Sequence, residues 1–270
     1  MFNDRKFLWL TDTHFNLASL WSRWKFARCM DAESPCGVFL SGDITTGSRL
    51  TQDLYWLARH IDCPIYFVLG NHDYWGKSIA ESHAELRDLC AEAPNLIWLT
   101  DKGPVQLSED IAVIGAEGWY DAAYGNPWWV RFTADWFMVE DFRRLPGHEA
   151  RLSAFQRLAA ESAECVADKL AAALGSYKTV YLVTHFPPWV EATRDVGTFM
   201  EQFWLPYNVN AVLGRRLEAV MRHRKKRRLV VLSGHTHVPN LIQVSRNIQC
   251  FVGEASYTRP VKHYQRIYVR

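Results

Sequence analysis

The sequence predicts an α/β layered fold on three observations. Short runs of apolar and β-branched residues alternate with longer amphipathic stretches, as strands and helices do in layered α/β proteins. The short runs are continuously apolar, which is expected of strands buried on both faces. Towards the end of the chain, strands follow one another with only short turns, which suggests antiparallel strands completing a sheet. Alternation by itself also permits a single doubly wound sheet.

In order, residues 7–10 form the first expected strand and 17–33 the first helix. Strand 37–40 precedes helix 48–60, and strand 65–69 precedes helix 77–91. Strand 111–114 leads into 119–148, the least regular stretch, rich in Trp, Tyr, Phe and Arg and expected to be an excursion over the domain. Helix 149–174 carries Leu152, Phe155, Leu158, Ala159 and Ala163 on one face, as core positions. Strand 179–183, helix 208–226 and strand 229–232 follow, and the last strands lie within 241–252 and 264–269. No internal repeat or low-complexity linker divides the chain, so residues 1–270 are expected to form one domain with a large core.

Composition narrows the function classes. Hydrophobic residues at 49% and charged residues at 22% argue against disorder. A net charge of +2 and a pI near 8.2 are too mild to imply a polyanionic partner. The six cysteines (Cys29, Cys36, Cys63, Cys90, Cys165, Cys250) show neither CxxC nor finger spacing, which excludes a redox motif and a structural zinc site. They are expected to be buried free thiols in a reducing compartment. Asp4, Arg5 and Lys6 leave no signal-peptide core, and no apolar run reaches the roughly 18 residues that span a bilayer. A cytoplasmic location without a membrane partner is the expectation. Nothing in the sequence specifies an oligomeric state.

The chemistry gathers at strand ends. The first strand ends in Asp12-Thr13-His14, the second runs into Gly42-Asp43, and the third into Gly70-Asn71-His72-Asp73. The fifth ends at His185 and the sixth at Gly234-His235-Thr236-His237. Carboxyl ends of strands share one edge in open α/β sheets, so these residues are expected to converge. Carboxylate, imidazole and amide-oxygen donors without thiolate suit borderline divalent ions such as Mn²⁺, Fe²⁺ or Zn²⁺. Side chains two apart in an extended segment point the same way, which would let Asp12 act with His14, and His235 with His237. Glycines before Asp43, Asn71 and His235 would allow tight turns there.

The ordered blocks Asp-x-His, Gly-Asp, Gly-Asn-His-Asp, His and Gly-His-x-His resemble those of the calcineurin-like metallophosphoesterases and span residues 12–237. The resemblance implies a β-sandwich of two mixed sheets flanked by helices, a choice the late antiparallel strands favour. It implies two divalent ions, with Asp12, His14 and His237 on one, Asn71, His185 and His235 on the other, and Asp43 bridging them. His72 would contact the substrate phosphate and stabilise the transition state or protonate the leaving oxygen, and Asp73 would orient its imidazole. The implied reaction is hydrolysis of a phosphate ester by a hydroxide bound to the dinuclear centre, with no covalent enzyme intermediate.

Protein phosphatases of this superfamily extend Gly-Asp into Gly-Asp-x-x-Asp-Arg-Gly. Here Gly42-Asp43 continues as Ile44-Thr45-Thr46-Gly47, so a protein substrate is disfavoured. The expected partner is a small phosphorylated compound, with a lean to phosphodiesters or nucleotides and manganese as the first ion to try. Two alternatives stand beside this: a non-catalytic scaffold on the same fold, disfavoured because every ligand survives, and a nuclease recruited by the basic run 222–228. That run lies at the end of a helix, where cations stay solvated. Residues 119–148 hold Trp128, Trp129, Trp136, Arg131, Arg143 and Arg144, which fit either a substrate-facing cap or an aromatic mini-core. His60, His83, His148, His223 and His263 are expected on the surface or in satisfied contacts.

Overall fold

The computed structural model describes residues 5–193 and 199–269. The strands are β1 (Arg5–Leu10), β2 (Gly37–Ser41), β3 (Ile65–Val68), β4 (Leu96–Trp98), β5 (Val105–Gln106), β6 (Ile111–Gly115), β7 (Thr179–Val183), β8 (Arg228–Ser233), β9 (Asn240–Ser245), β10 (Ile248–Val252) and β11 (Gln265–Val269). The helices are α1 (Leu20–Glu33), α2 (Leu50–His60), α3 (Ile79–Glu92), α4 (Asp135–Met138), α5 (Glu140–Arg143), α6 (Gly147–Ser176), α7 (Phe199–Trp204) and α8 (Ala211–Met221). One sheet has the order β11-β1-β2-β3-β4 and the other β5-β6-β7-β8-β10-β9. β1 to β4 run parallel, as do β6, β7, β8 and β10, while β11, β5 and β9 pair antiparallel at edges.

This is the two-sheet sandwich that the motif order implies. Alternate residues of β1 show why its run is continuously apolar. Phe7 and Trp9 enter a core between the sheets with Phe39, Val113 and Leu232, whereas Leu8 and Leu10 face a second core containing Phe26 of α1 and Leu54 of α2. The other sheet buries Leu182 and Val231 against Leu170 of α6 and Leu217 of α8. The tail departs from expectation, since its strands serve two sheets: β9 and β10 extend one, and β11 closes the edge of the other.

Helix ends follow side-chain chemistry. Ser19, Ser78 and Asn210 cap α1, α3 and α8 by accepting from the backbone N–H of Ser22, Glu81 and Leu213. The expected helix 208–226 therefore starts at Ala211 and stops at Met221, and most of the basic run lies exposed in the turn before β8. The cysteines are free, but only Cys250 is fully buried and Cys36 is exposed.

One buried ion pair braces the ends of β1 and β2. Arg23 of α1 reaches Asp53 of α2 at 2.6 Å and also donates to the carbonyl of Phe15, just beyond His14. Asp53 further accepts from Thr45 Oγ1 at 2.7 Å, just beyond Asp43. Asp53→Ala would strand a buried guanidinium, which costs about 3–5 kcal/mol. The expected result is a melting temperature lower by roughly 6–20 °C for a chain of this size. A calorimetric shift under about 2 °C would show that the pair does not brace these loops.

Candidate metal centre

The site sits where the carboxyl ends of the two sheets meet. The loop after β1 continues to pair with that after β2, with Asp12 N donating to Gly42 O (3.0 Å) and His14 N to Asp43 O (3.1 Å). The loop after β7 is tied to the one after β8 by Gly234 N donating to His185 O at 2.9 Å. Across the sheets, Nδ1 of His185 donates to the carbonyl of Ser41 at 2.8 Å. Convergence therefore uses the edges of two sheets, not the single edge that an open sheet provides.

Backbone geometry aims the side chains. Eight described non-glycine residues have positive φ, and five of them are Asp12 (48°), His14 (42°), Asp43 (49°), His235 (69°) and His237 (59°). Such left-handed residues are uncommon outside glycine and cluster where function holds them. Asp12 and His14, and likewise His235 and His237, are thus brought together by paired left-handed residues and not by the alternation of an extended strand. Of the three glycines, Gly42 makes a left-handed turn at φ 88°. Gly70 and Gly234 instead leave room, because a Cβ there would strike Asp43 and Asp12 respectively.

The donor atoms fall into overlapping groups, each within 4.8 Å: Asp12, His14 and His237; His14, Asp43 and His72; Asp43, His185 and His235. Nε2 of His237 lies 3.0 Å from Asp12 Oδ1 and 3.3 Å from Nε2 of His14. Nε2 of His185 lies 3.2 Å from Asn71 Oδ1 and 3.5 Å from Asp43 Oδ1. Nε2 of His235 donates to the carbonyl of Tyr207 at 2.9 Å, which leaves Nδ1 as the nitrogen that could ligate, while in His185 the Nδ1 bond to Ser41 leaves Nε2 for that role, facing Asn71 and Asp43. All seven expected ligands are therefore brought together, and His72 stands beside them. His60, His83, His148, His223 and His263 join none of these groups.

Burial and charge oppose one another here. Burial alone would raise Asp43, but the facing His185 and His72 outweigh it and hold its carboxyl well below the usual range. Burial likewise acts against charge on His185, yet Asp43 prevails and lifts it to about 9. Burial dominates at His14 and His235, lowering them to about 4 and about 3.

Asp73 departs from its expected task. Its carboxylate accepts from the backbone N–H of Ile44 (3.1 Å), Thr45 (2.8 Å) and Gly70 (2.9 Å), so it ties the loop after β2 to the loop after β3. Burial and the neighbouring Asp43 push it up to about 7, against those three donors. The His72 ring stacks instead on Trp75, at 3.6 Å between centroids.

A cavity of about 740 Å³ opens over the cluster, lined by Asn71, His72, His235 and His237 and walled by Trp75, Phe132, Trp204, Tyr207 and Tyr257. Tyr257 lies 4.6 Å from the rings of His14 and His237. From 119–148 only Phe132, Thr133 and Ala134 line this cavity. Trp119, Trp136 and Phe142 are buried in the core, Arg143 and Arg144 pair with Glu140, and Arg131 lies over Trp128 and Phe132. The excursion is thus mostly mini-core with one substrate-side edge. Trp75 had a sequence signal, three residues past His72; Trp204 and Tyr257 had none.

The model of the family described as calcineurin-like phosphoesterase matches residues 5–239. No curated protein matches the chain in sequence. Among solved structures, a phosphopantetheinyl hydrolase from Mycobacterium tuberculosis is similar with a TM-score of 0.67 at 16% identity, covering 95% of this chain and 91% of that one. A dimetal phosphatase from Danio rerio gives 0.62 at 11% identity, with 99% and 93% covered. A Thermus thermophilus protein, TT1561, gives 0.52 at 14% identity, with 99% and 100% covered. At these identities the likeness is one of fold.

Proposed function

Because the chain belongs to the calcineurin-like phosphoesterase family, we propose that this metal-dependent phosphoester hydrolase acts on small phosphodiesters with a flat or apolar arm. The carrying observation is the cavity: its described lining holds aromatic surface but no Lys or Arg. A diester phosphate bears one negative charge, whereas a monoester near neutrality bears up to two, so a described lining without Lys or Arg suits the diester. Its volume exceeds that of a phosphate alone and leaves room for an organic arm against Phe132 and Trp204.

The donor set fits a pair of divalent ions. Asp12 Oδ1 is buried and faces the His237 ring, the donors are oxygen and nitrogen only, and His185 and His235 each have one ring nitrogen fixed by a backbone carbonyl. Asp12, His14 and His237 would hold one ion, Asn71, His185 and His235 the other, and Asp43 both. When bound, such ions polarise a phosphoryl oxygen and lower the pKa of water. His72, stacked on Trp75 and exposed to the cavity, would donate a proton to the leaving oxygen. Asp73 would hold the loops bearing Asp43 and Asn71 in register.

The manganese-loaded chain is expected to prefer bis-4-nitrophenyl phosphate to 4-nitrophenyl phosphate in kcat/KM, and a clear preference for the monoester would defeat the diester reading. Phosphopantetheinyl esters belong in the same panel, since a hydrolase of that name shares the fold. Trp204→Ala and Phe132→Ala are expected to raise KM for the bis-aryl ester roughly three- to tenfold, the worth of an aromatic contact. They should spare methyl 4-nitrophenyl phosphate, which keeps the leaving group but lacks the second ring. Equal effects on both esters would show that these walls do not select the arm.

A further inference from the structure

Asp135, the first residue of α4, comes from the irregular excursion yet sits beside the cluster, 1% exposed. Its Oδ1 accepts from Nδ2 of Asn71 at 2.9 Å and from Nε1 of Trp75 at 2.7 Å. Its Oδ2 accepts from Thr133 Oγ1 at 3.1 Å and from the Tyr120 hydroxyl at 3.2 Å. The amide NH₂ and the indole N–H can only donate, so Oδ1 must meet them as an acceptor. This matters because a carboxamide is nearly symmetric in shape but not in chemistry: its oxygen can ligate a cation and its NH₂ cannot. With Nδ2 held by Asp135, Asn71 turns Oδ1 towards Nε2 of His185 at 3.2 Å. Trp75, anchored by the same oxygen, carries the His72 ring on its face.

We propose that Asp135 is a positioning residue of the metal centre, fixing which end of Asn71 faces the ion and, through Trp75, where the His72 imidazole stands. This rests on the reading that Asn71, His185 and His235 hold an ion. It also gives the excursion a task distinct from packing, because the adjoining Phe132, Thr133 and Ala134 line the cavity. One short segment therefore touches both the substrate space and the support of a ligand.

The test is a calorimetric titration of Mn²⁺ into the chelator-treated full chain, with melting temperatures measured alongside. Wild type is expected to take two ions. Asp135→Ala should weaken one of them about 10–100-fold, the usual loss when an outer hydrogen bond to a ligand is removed, and leave the other within about threefold. Asp135→Asn should keep both within about threefold of wild type, since its carbonyl can still accept from Asn71 and Trp75 while its NH₂ faces two hydroxyl oxygens. Asp135→Leu, similar in volume, carries the same expectation as alanine should the smaller variant not fold. Trp75→Phe should keep both ions and lower kcat without raising KM. Two ions bound equally well by wild type and by Asp135→Ala or Asp135→Leu would overturn the proposal, whatever the melting temperatures. So would an Asp135→Asn variant as weak as Asp135→Ala. Wild type that binds no Mn²⁺ would instead defeat the metal-centre reading itself.

Discussion

Replacing Asp43 with alanine is expected to abolish tight binding of both ions and to lower turnover by more than the roughly 10²–10⁴-fold typical of losing one acid–base group. Asp43 Oδ1 lies 3.5 Å from His185 Nε2 in one half of the cluster, and the carboxylate lies within 4.8 Å of a ring nitrogen of His14 in the other. Changing His14 or His235 removes a donor from one half only. Metal analysis with steady-state kinetics on the same samples decides the point: two ions and normal turnover in the variant would refute the bridge. A pH experiment tests the same carboxylate without any substrate. In the metal-free chain Asp43 lifts His185 from 6.5 to about 9 despite burial. A raised folded pKa contributes stability that is complete below the unfolded value and lost as pH rises through the folded one. Chelated protein should therefore lose stability between pH 6.5 and about 9, and Asp43→Ala should flatten that slope. Loaded protein should lack this fall, because a ligand already deprotonated in the loaded state releases no proton as pH rises towards 9.

His72→Asn is the second large effect, with an expected fall in kcat of about 10²–10⁴-fold at unchanged metal content. If proton donation dominates, the penalty should shrink for a 4-nitrophenolate leaving group and grow for an alkoxide. The competing outcome is specific, since a ring nitrogen of His72 lies close enough to His14 and Asp43 to join them as a ligand. Loss of one ion in His72→Asn would therefore overturn the assignment. Retention of two ions with unchanged kcat on an alkyl ester would remove His72 from the chemistry altogether.

The ordered strand-end motif made both the fold and the convergence of the candidate ligands legible, because Asp, Asn and His recur after the buried strands in one order. What the residues did not reveal was how the edge is built. The alternation argument for Asp12 and His14 gave the right neighbours for the wrong reason, since nothing local marks those positions as left-handed. The family resemblance cast Asp73 as a partner for His72, but three backbone N–H groups from two loops claim its carboxylate. Asp135 was invisible for a different reason. It lies 64 residues from Asn71, in a stretch with no period, and one Asp among aromatics carries no signal until the chain folds back. Short β4 and β5 escaped because two or three residues show no pattern. The Trp and Arg side chains of 119–148 fitted a cap or a mini-core equally well in the sequence, because which partners they take, such as Glu140 for Arg143 and Arg144, is set only when the chain folds.

The left-handed backbone at Asp12, His14, Asp43, His235 and His237 bears on how such a chain changes over generations. A residue with a β-carbon held there costs roughly 1–2 kcal/mol relative to a relaxed conformation, a strain that glycine would relieve. Drift acting on folding alone would thus favour exchanging these five side chains for glycine, each step small and together comparable with the whole stability of a domain. None of the five positions holds glycine in this sequence. Selection for stability and selection for ion binding pull in opposite directions at the same backbone angles, so a lineage released from its substrate would first lose the residues that define its chemistry, and the empty scaffold would outlast them.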